Sequence, residues 1–149
     1  MGLFDSIYAD GPEFVCPEGH SLADVEFQTK CLGQTMGHWT IGGGRLDGKD
    51  GGYGDAPVRP FSGLIWMGAE CAKCPAFVQA KTLNLVPFSV CFRVRVHSDE
   101  VVEIVSTGET LAAFLAREPT ERFMVGCYGP MPYDRAMRIH CHQEPPPPR

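Results

Sequence analysis

Val90-Cys91-Phe92-Arg93-Val94-Arg95-Val96-His97-Ser98-Asp99-Glu100-Val101-Val102-Glu103-Ile104-Val105 is the stretch from which the fold can be read. Val90, Phe92, Val94 and Val96 alternate with Cys91, Arg93, Arg95 and His97, which is the two-residue period of a strand with one buried face. Apolar residues resume at Val101, so the segment reads as a hairpin. A three-residue loop of Ser98, Asp99 and Glu100 sets Val96 opposite Val102 and Val94 opposite Ile104, whereas a two-residue loop sets Val94 against Glu103. The three-residue loop keeps like with like and is the expected register. It also puts Arg95 opposite Glu103 on the outer face, an exposed pair worth under ~1 kcal/mol.

Beyond the hairpin, Ser106-Thr107-Gly108-Glu109 has the form of a capping box ahead of Leu111-Ala112-Ala113-Phe114-Leu115-Ala116-Arg117. These are good helix formers that stop before Pro119, and Leu111, Phe114 and Leu115 share a face that should pack on the sheet. Before the hairpin, further strand signals cover residues 24–30, 38–41 and 61–67. Between the last two, residues 42–60 are so rich in glycine that a regular element would cost too much backbone entropy, and a long, mobile loop is expected. The fold class expected is mainly β (α+β): a small antiparallel sheet with a zinc-ribbon-like site and one packed helix. A single domain over residues 1–143 would carry a proline-rich, extended tail over 144–149.

The chain has 149 residues, 44% of them hydrophobic and 21% charged, which suits one ordinary globular domain. No apolar run is long enough to span a bilayer, so no membrane partner is expected. Met1-Gly2-Leu3-Phe4-Asp5 lacks the basic and apolar regions of a signal peptide, so a cytoplasmic location is expected. A net charge of −5 disfavours a protein devoted to neutralising phosphates. Seven cysteines, an odd number with two of them as Cys71-Ala72-Lys73-Cys74, point to metal or redox chemistry rather than a disulfide framework.

Cys16-Pro17-Glu18-Gly19-His20 offers a thiolate and an imidazole around a glycine that can take positive φ, so one tight turn can aim both at one ion. Cys71 and Cys74 supply a second turn. Three sulfurs and one nitrogen make the closed tetrahedral set of a structural zinc, and two separated turns meeting at a metal describe a zinc ribbon. The alternative is a turn thiol and a surface imidazole beside an unrelated cysteine pair. A thioredoxin-like redox pair needs the motif to open a helix after a strand, and Pro75 is followed by no convincing helix pattern. His38 is the substitute fourth ligand. His140-Cys141-His142 lacks a partner turn and reads as surface.

The start Met1-Gly2-Leu3-Phe4-Asp5, the knuckle at Cys16-Pro17 with Gly19, and the stretch Phe27-Gln28-Thr29-Lys30 resemble a group of uncharacterised bacterial and bacteriophage proteins. These have an MG-hydrophobic-FD start, a CPxCG-type knuckle and an FQTK stretch. The resemblance covers mainly the first 40 residues, and the group has Cys-x-x-Cys where this chain has Cys16 and His20. It implies a zinc-ribbon-like site and a bacterial or phage source, and no catalytic residue.

Other chemistry is nearly present. Residues 43–49 match a phosphate loop as far as Lys49, but Asp50 stands where Ser or Thr must hold magnesium. Asp47, Asp50 and Asp55 fail the EF-hand spacing. Cys91 sits among Arg93, Arg95 and His97 on the outer strand face, surroundings that would lower a thiol pKa; Cys127 and Cys141 are nucleophile candidates only in being cysteines. Arg93, Arg95 and His97 also form a short basic stripe, and Trp39, Tyr53, Trp66 and Tyr128 could stack on bases, although Trp39 and Trp66 suit a core better. A non-enzymatic zinc-stabilised interaction module with a protein partner is the leading expectation. A nucleic-acid-binding ribbon is the alternative, and a zinc or thiol enzyme the third.

Overall fold

The hairpin at the centre of the sequence reading is one wall of a closed barrel. The computed structural model describes residues 3–82, 90–106, 110–116, 123–125, 129–131, 135, 138 and 143–145. Seven strands, β1 (Asp5–Ala9), β2 (Glu26–Thr29), β3 (His38–Gly42), β4 (Arg45–Lys49), β5 (Gly63–Ala69), β6 (Val90–His97) and β7 (Glu100–Ser106), run in the spatial order β1-β2-β5-β6-β7-β4-β3. All neighbours are antiparallel except β1 and β3, which pair in parallel and complete the circle. A closed barrel therefore replaces the small open sheet expected, and closure removes the exposed edges such a sheet would have.

Among the elements whose bounds are described, two short helices accompany the barrel. The expected one is α2 (Leu111–Ala116), while α1 (Pro75–Thr82) lies where no helix was expected. The α2 cap is Thr110, whose Oγ1 accepts from the Ala113 amide at 3.2 Å; the proposed box falls on 107–109, outside the described residues. α2 adjoins α1, and its Leu115 is exposed, while the Leu111 and Phe114 side chains lie outside the description. A separate two-stranded sheet, β8 (Phe123–Val125) with β9 (Gly129–Met131), had no counterpart in the sequence reading.

The β6–β7 register combines both turns that were weighed. Val94 faces Ile104 and Arg95 faces Glu103 as expected, but the register then shifts so that Val96 faces Val101 rather than Val102, and His97 faces Glu100. Ser98 and Asp99, at φ 46° and 65°, form a two-residue turn with positive φ at both central positions. The bulge pushes out one residue, Val102, which is 55% exposed.

The glycine-rich segment is more ordered than expected. Its first third holds β4, joined to β3 by Gly43 and Gly44 at φ 57° and 75°. Leu46 donates its amide to the Asp99 carbonyl and Val101 to the Gly44 carbonyl, both at 2.8 Å, so the two hairpin tips close the barrel. Farther on, a Cβ at Gly33 would overlap the Asp55 carbonyl and one at Gly51 would overlap the Thr35 and Met36 carbonyls. Here the glycines permit backbone to lie on backbone.

At the start of the barrel Asp5 is fully buried, with its carboxylate accepting from the amides of Gln34, Thr35 and Gly37 and from Thr35 Oγ1 at 2.8–3.0 Å. Loop 33–37 wraps the carboxylate, which satisfies a group that could not otherwise be buried. Ser6, Thr29 and Thr35 are the other buried polar residues described, and the rest of the described interior is apolar. Phe14, Phe27 and Phe92 meet edge-to-face with centroids 5.3–6.3 Å apart near one mouth of the barrel. Among the described residues, no helix is long and apolar enough to cross a membrane.

Candidate metal centre

Strand direction decides which loops can meet. β1 ends and β2 begins at the mouth where β5 ends and β6 begins, because Tyr8 pairs with Glu26, Gln28 with Gly68 and Ala69 with Val90. The β1–β2 connection carries Cys16 and His20; the β5–β6 connection carries Cys71 and Cys74. Only β2 stands between β1 and β5, so the two connections leave the barrel roughly 10 Å apart, two strand spacings.

The first connection folds into a small hairpin. Val15 bridges Ser21, the Cys16 amide donates to the His20 carbonyl at 2.9 Å, and the Gly19 amide donates to the Cys16 carbonyl at 2.8 Å. Gly19 stands at φ 87°, as the Cys-x-x-x-His spacing required. The His20 amide also points at Cys16 Sγ, 3.3 Å away. In the second connection the Cys74 amide donates to the Cys71 carbonyl at 3.0 Å, and the Cys74 carbonyl accepts from Phe77 and Val78 as α1 begins. Pro75 is the first helical residue, the one position where its missing N–H costs nothing. No convincing helix pattern was read after Pro75, yet α1 starts there, so Cys71 and Cys74 do stand between a strand, β5, and a helix.

Between the turns, the donor atoms of Cys16, His20 and Cys71 lie within 4.8 Å of one another, with Cys16 Sγ 3.2 Å from His20 Nδ1. A second group within 4.8 Å joins His20 to Cys74 and Glu18. His20 therefore links all four residues singled out from sequence, and together they could hold a metal ion. The three thiols are 1–2% exposed, His20 is half-buried and Glu18 is exposed. Every cysteine among the described residues is free of disulfide.

Burial pushes the Cys71 thiol above its ordinary 9.0, and the neighbouring Cys16 thiol pushes in the same direction; the Lys73 and Cys74 amides, donating to its sulfur, pull it down. Three buried sulfurs around one imidazole, with backbone N–H groups aimed at sulfur in both turns, are suited to thiolates neutralised by a cation. Ligands about 2.3 Å (S) and 2.0 Å (N) from a tetrahedral ion sit about 3.5–3.8 Å apart, inside the 4.8 Å that bounds each group, although Cys16 Sγ and His20 Nδ1, at 3.2 Å, would have to part slightly.

Other candidates are placed elsewhere or engaged. His38 opens β3 opposite Ser6, at the far mouth, so it is no substitute ligand. His140, Cys141, His142, Cys127 and Tyr128 lie outside the described residues. Cys91, expected as an accessible thiol, is fully buried. Arg93 and Arg95 do share the outer face of β6, but both reach Glu103, at 3.3 and 3.4 Å, and the Arg93 guanidinium lies 5.9 Å over Trp66. His97 is exposed beyond them. Trp39 is in the core as expected, while Trp66 sits half-buried on the outer face. The P-loop-like residues 43–49 form the β3–β4 turn and β4 itself. Glu18 went unnoticed in the sequence, because an acidic residue inside a turn is ordinarily solvated; only the fold brings Cys74 to it.

No known family, characterised protein or solved structure matches the chain.

Proposed function

We propose that this protein is a non-enzymatic interaction module whose barrel mouth is stapled by one zinc ion on Cys16, His20, Cys71 and Cys74. The observation that carries the reading is the convergence of two turns, more than fifty residues apart in sequence, on two overlapping groups of donor atoms that share the His20 imidazole. Three thiolates and one imidazole favour zinc over magnesium or calcium, which prefer oxygen ligands. Four protein ligands leave no open position for substrate, which is why the ion is structural here. The absence of disulfides among the described cysteines suits a reducing compartment such as a bacterial cytoplasm, in keeping with the resemblance to bacterial and phage proteins.

A protein partner is the occupant favoured for the surface. Tyr53 and Val58, 61% and 86% exposed, stand on a segment whose backbone is held against loop 33–37 and whose Arg59 is tied to Asp99 at 3.6 Å. Rigid apolar side chains lose little entropy on contact. A nucleic acid would have to draw Arg93 and Arg95 away from Glu103, so this surface supports that reading less. Zinc content and folding measured together test the proposal. Purified protein should hold about one zinc per chain, and a strong chelator should abolish the folded spectrum. A metal-free chain that stays fully folded would refute it.

A further inference from the structure

We infer that Glu18 is a reserve ligand of the metal centre, able to take the place of Cys74 on the ion; the inference rests on the zinc reading above. A Glu18 carboxylate oxygen, a His20 ring nitrogen and Cys74 Sγ lie within 4.8 Å of one another, so the carboxylate stands beside the thiol it would replace and beside the imidazole that both groups share. No basic side chain among the described residues pairs with Glu18. A carboxylate this close to a sulfur and an imidazole is placed to lend its charge to a bound cation.

Charge decides between a fifth ligand and a replacement. Zinc with three thiolates and a neutral imidazole carries a net charge of about −1, and adding a carboxylate would bring it to about −2 in a partly buried site. Exchanging the Cys74 thiolate for the carboxylate keeps the total unchanged. Position points the same way: Glu18 lies inside the turn between Cys16 and His20, so it can swing onto the ion without disturbing either ligand. Cys74, in contrast, closes the second turn at the start of α1, and release of its sulfur leaves Cys71 in place. The ion would thus be held permanently by Cys16, His20 and Cys71, with an exposed carboxylate attending its solvent side. Metal would enter and leave by that side.

The test compares zinc retained by full-length variants after gel filtration. Cys74→Ser should keep its zinc, Cys71→Ser should lose it, and Cys74→Ser combined with Glu18→Gln should lose it as well. Loss of zinc from Cys74→Ser alone, or its retention in the double variant, would overturn the assignment. Should Cys74→Ser fail to fold, Glu18→Gln in the native sequence gives a second reading. Transfer of zinc to a chromogenic chelator should be slower than in the native chain, and an unchanged rate would overturn the assignment. A native chain that binds no zinc at all defeats the underlying metal reading instead, so the two failures are distinguishable.

Discussion

At the scale of single residues, the strongest commitments of this chain are polar groups placed where apolar ones would be expected. Asp5 breaks the alternation of β1 by pointing a carboxylate inward with Ile7 and Ala9, which is why a strand at residues 5–9 was not legible in the sequence. Its partners are the amides of a loop 29 to 32 residues away. Asp5→Ala should leave those amides buried without an acceptor and cost about 3 kcal/mol or more in urea unfolding. A loss under about 1 kcal/mol would mean that loop 33–37 does not depend on the carboxylate. Gly48 is the packing counterpart. A Cβ there would sit 2.7 Å from the Trp39 backbone and ring, so Gly48→Ala should destabilise by about 1–3 kcal/mol by the same measurement. A neutral result would show that the ring can move aside. Glu144, assigned to the tail from sequence, accepts from Arg135 and Arg138 at 2.9 Å, and these bonds, with Arg138 first, hold its carboxyl below the ordinary 4.5. A depressed folded pKa means the contact is present above 4.5 and is lost as pH falls through the lowered value. An NMR titration of the Glu144 carboxyl should therefore give a midpoint below 4.5 that moves up in Arg138→Ala; a midpoint at or above 4.5 would contradict the clamp.

At the scale of elements, local pattern was enough where one face alone is buried and failed where tertiary contacts set the conformation. The β6–β7 hairpin was legible because its valines alternate, yet the choice of turn was not, since a bulge at Val102 allows a two-residue turn and the apolar register together. β4 was hidden by its glycines: Leu46 is its only buried large residue, and the strand exists because two hairpin tips bond to each other. α1 was not legible because the residues after Pro75 showed no convincing helix pattern, although Pro75 suits the first helical position. The turn itself offers a test in which two effects oppose. Asp99→Gly gives positive φ to a residue that adopts it freely, but it removes the carboxylate that accepts from the Phe61 amide at 2.7 Å and pairs with Arg59. A hydrogen bond to a charged group is worth about 1.5–3 kcal/mol and relief at the turn at most about 1 kcal/mol, so the variant should be less stable by about 1 kcal/mol. A stabilised variant would show that the turn conformation, not the anchoring of Phe61, governs this corner.

At the scale of the whole molecule, closure of the barrel converts two motifs far apart in sequence into one site. The four ligand candidates were legible because thiols and an imidazole at turn spacing have few other uses in a chain of this composition. Their meeting was expected from ligand chemistry alone; the route to it, β1 and β5 both ending at the same mouth, is something no local pattern records. The barrel was missed for a related reason: the parallel β1–β3 pair that closes it joins one strand hidden by Asp5 to another whose partner strand was hidden in a glycine-rich segment. If a metal holds that mouth, it stabilises the fold by tying the two connections together, on the order of 10 kcal/mol in small zinc domains. X-ray absorption at the zinc edge of the purified protein tests this most directly. The spectrum should show three sulfurs at about 2.3 Å and one nitrogen at about 2.0 Å. A shell dominated by oxygen, or one with fewer than two sulfurs, would contradict it.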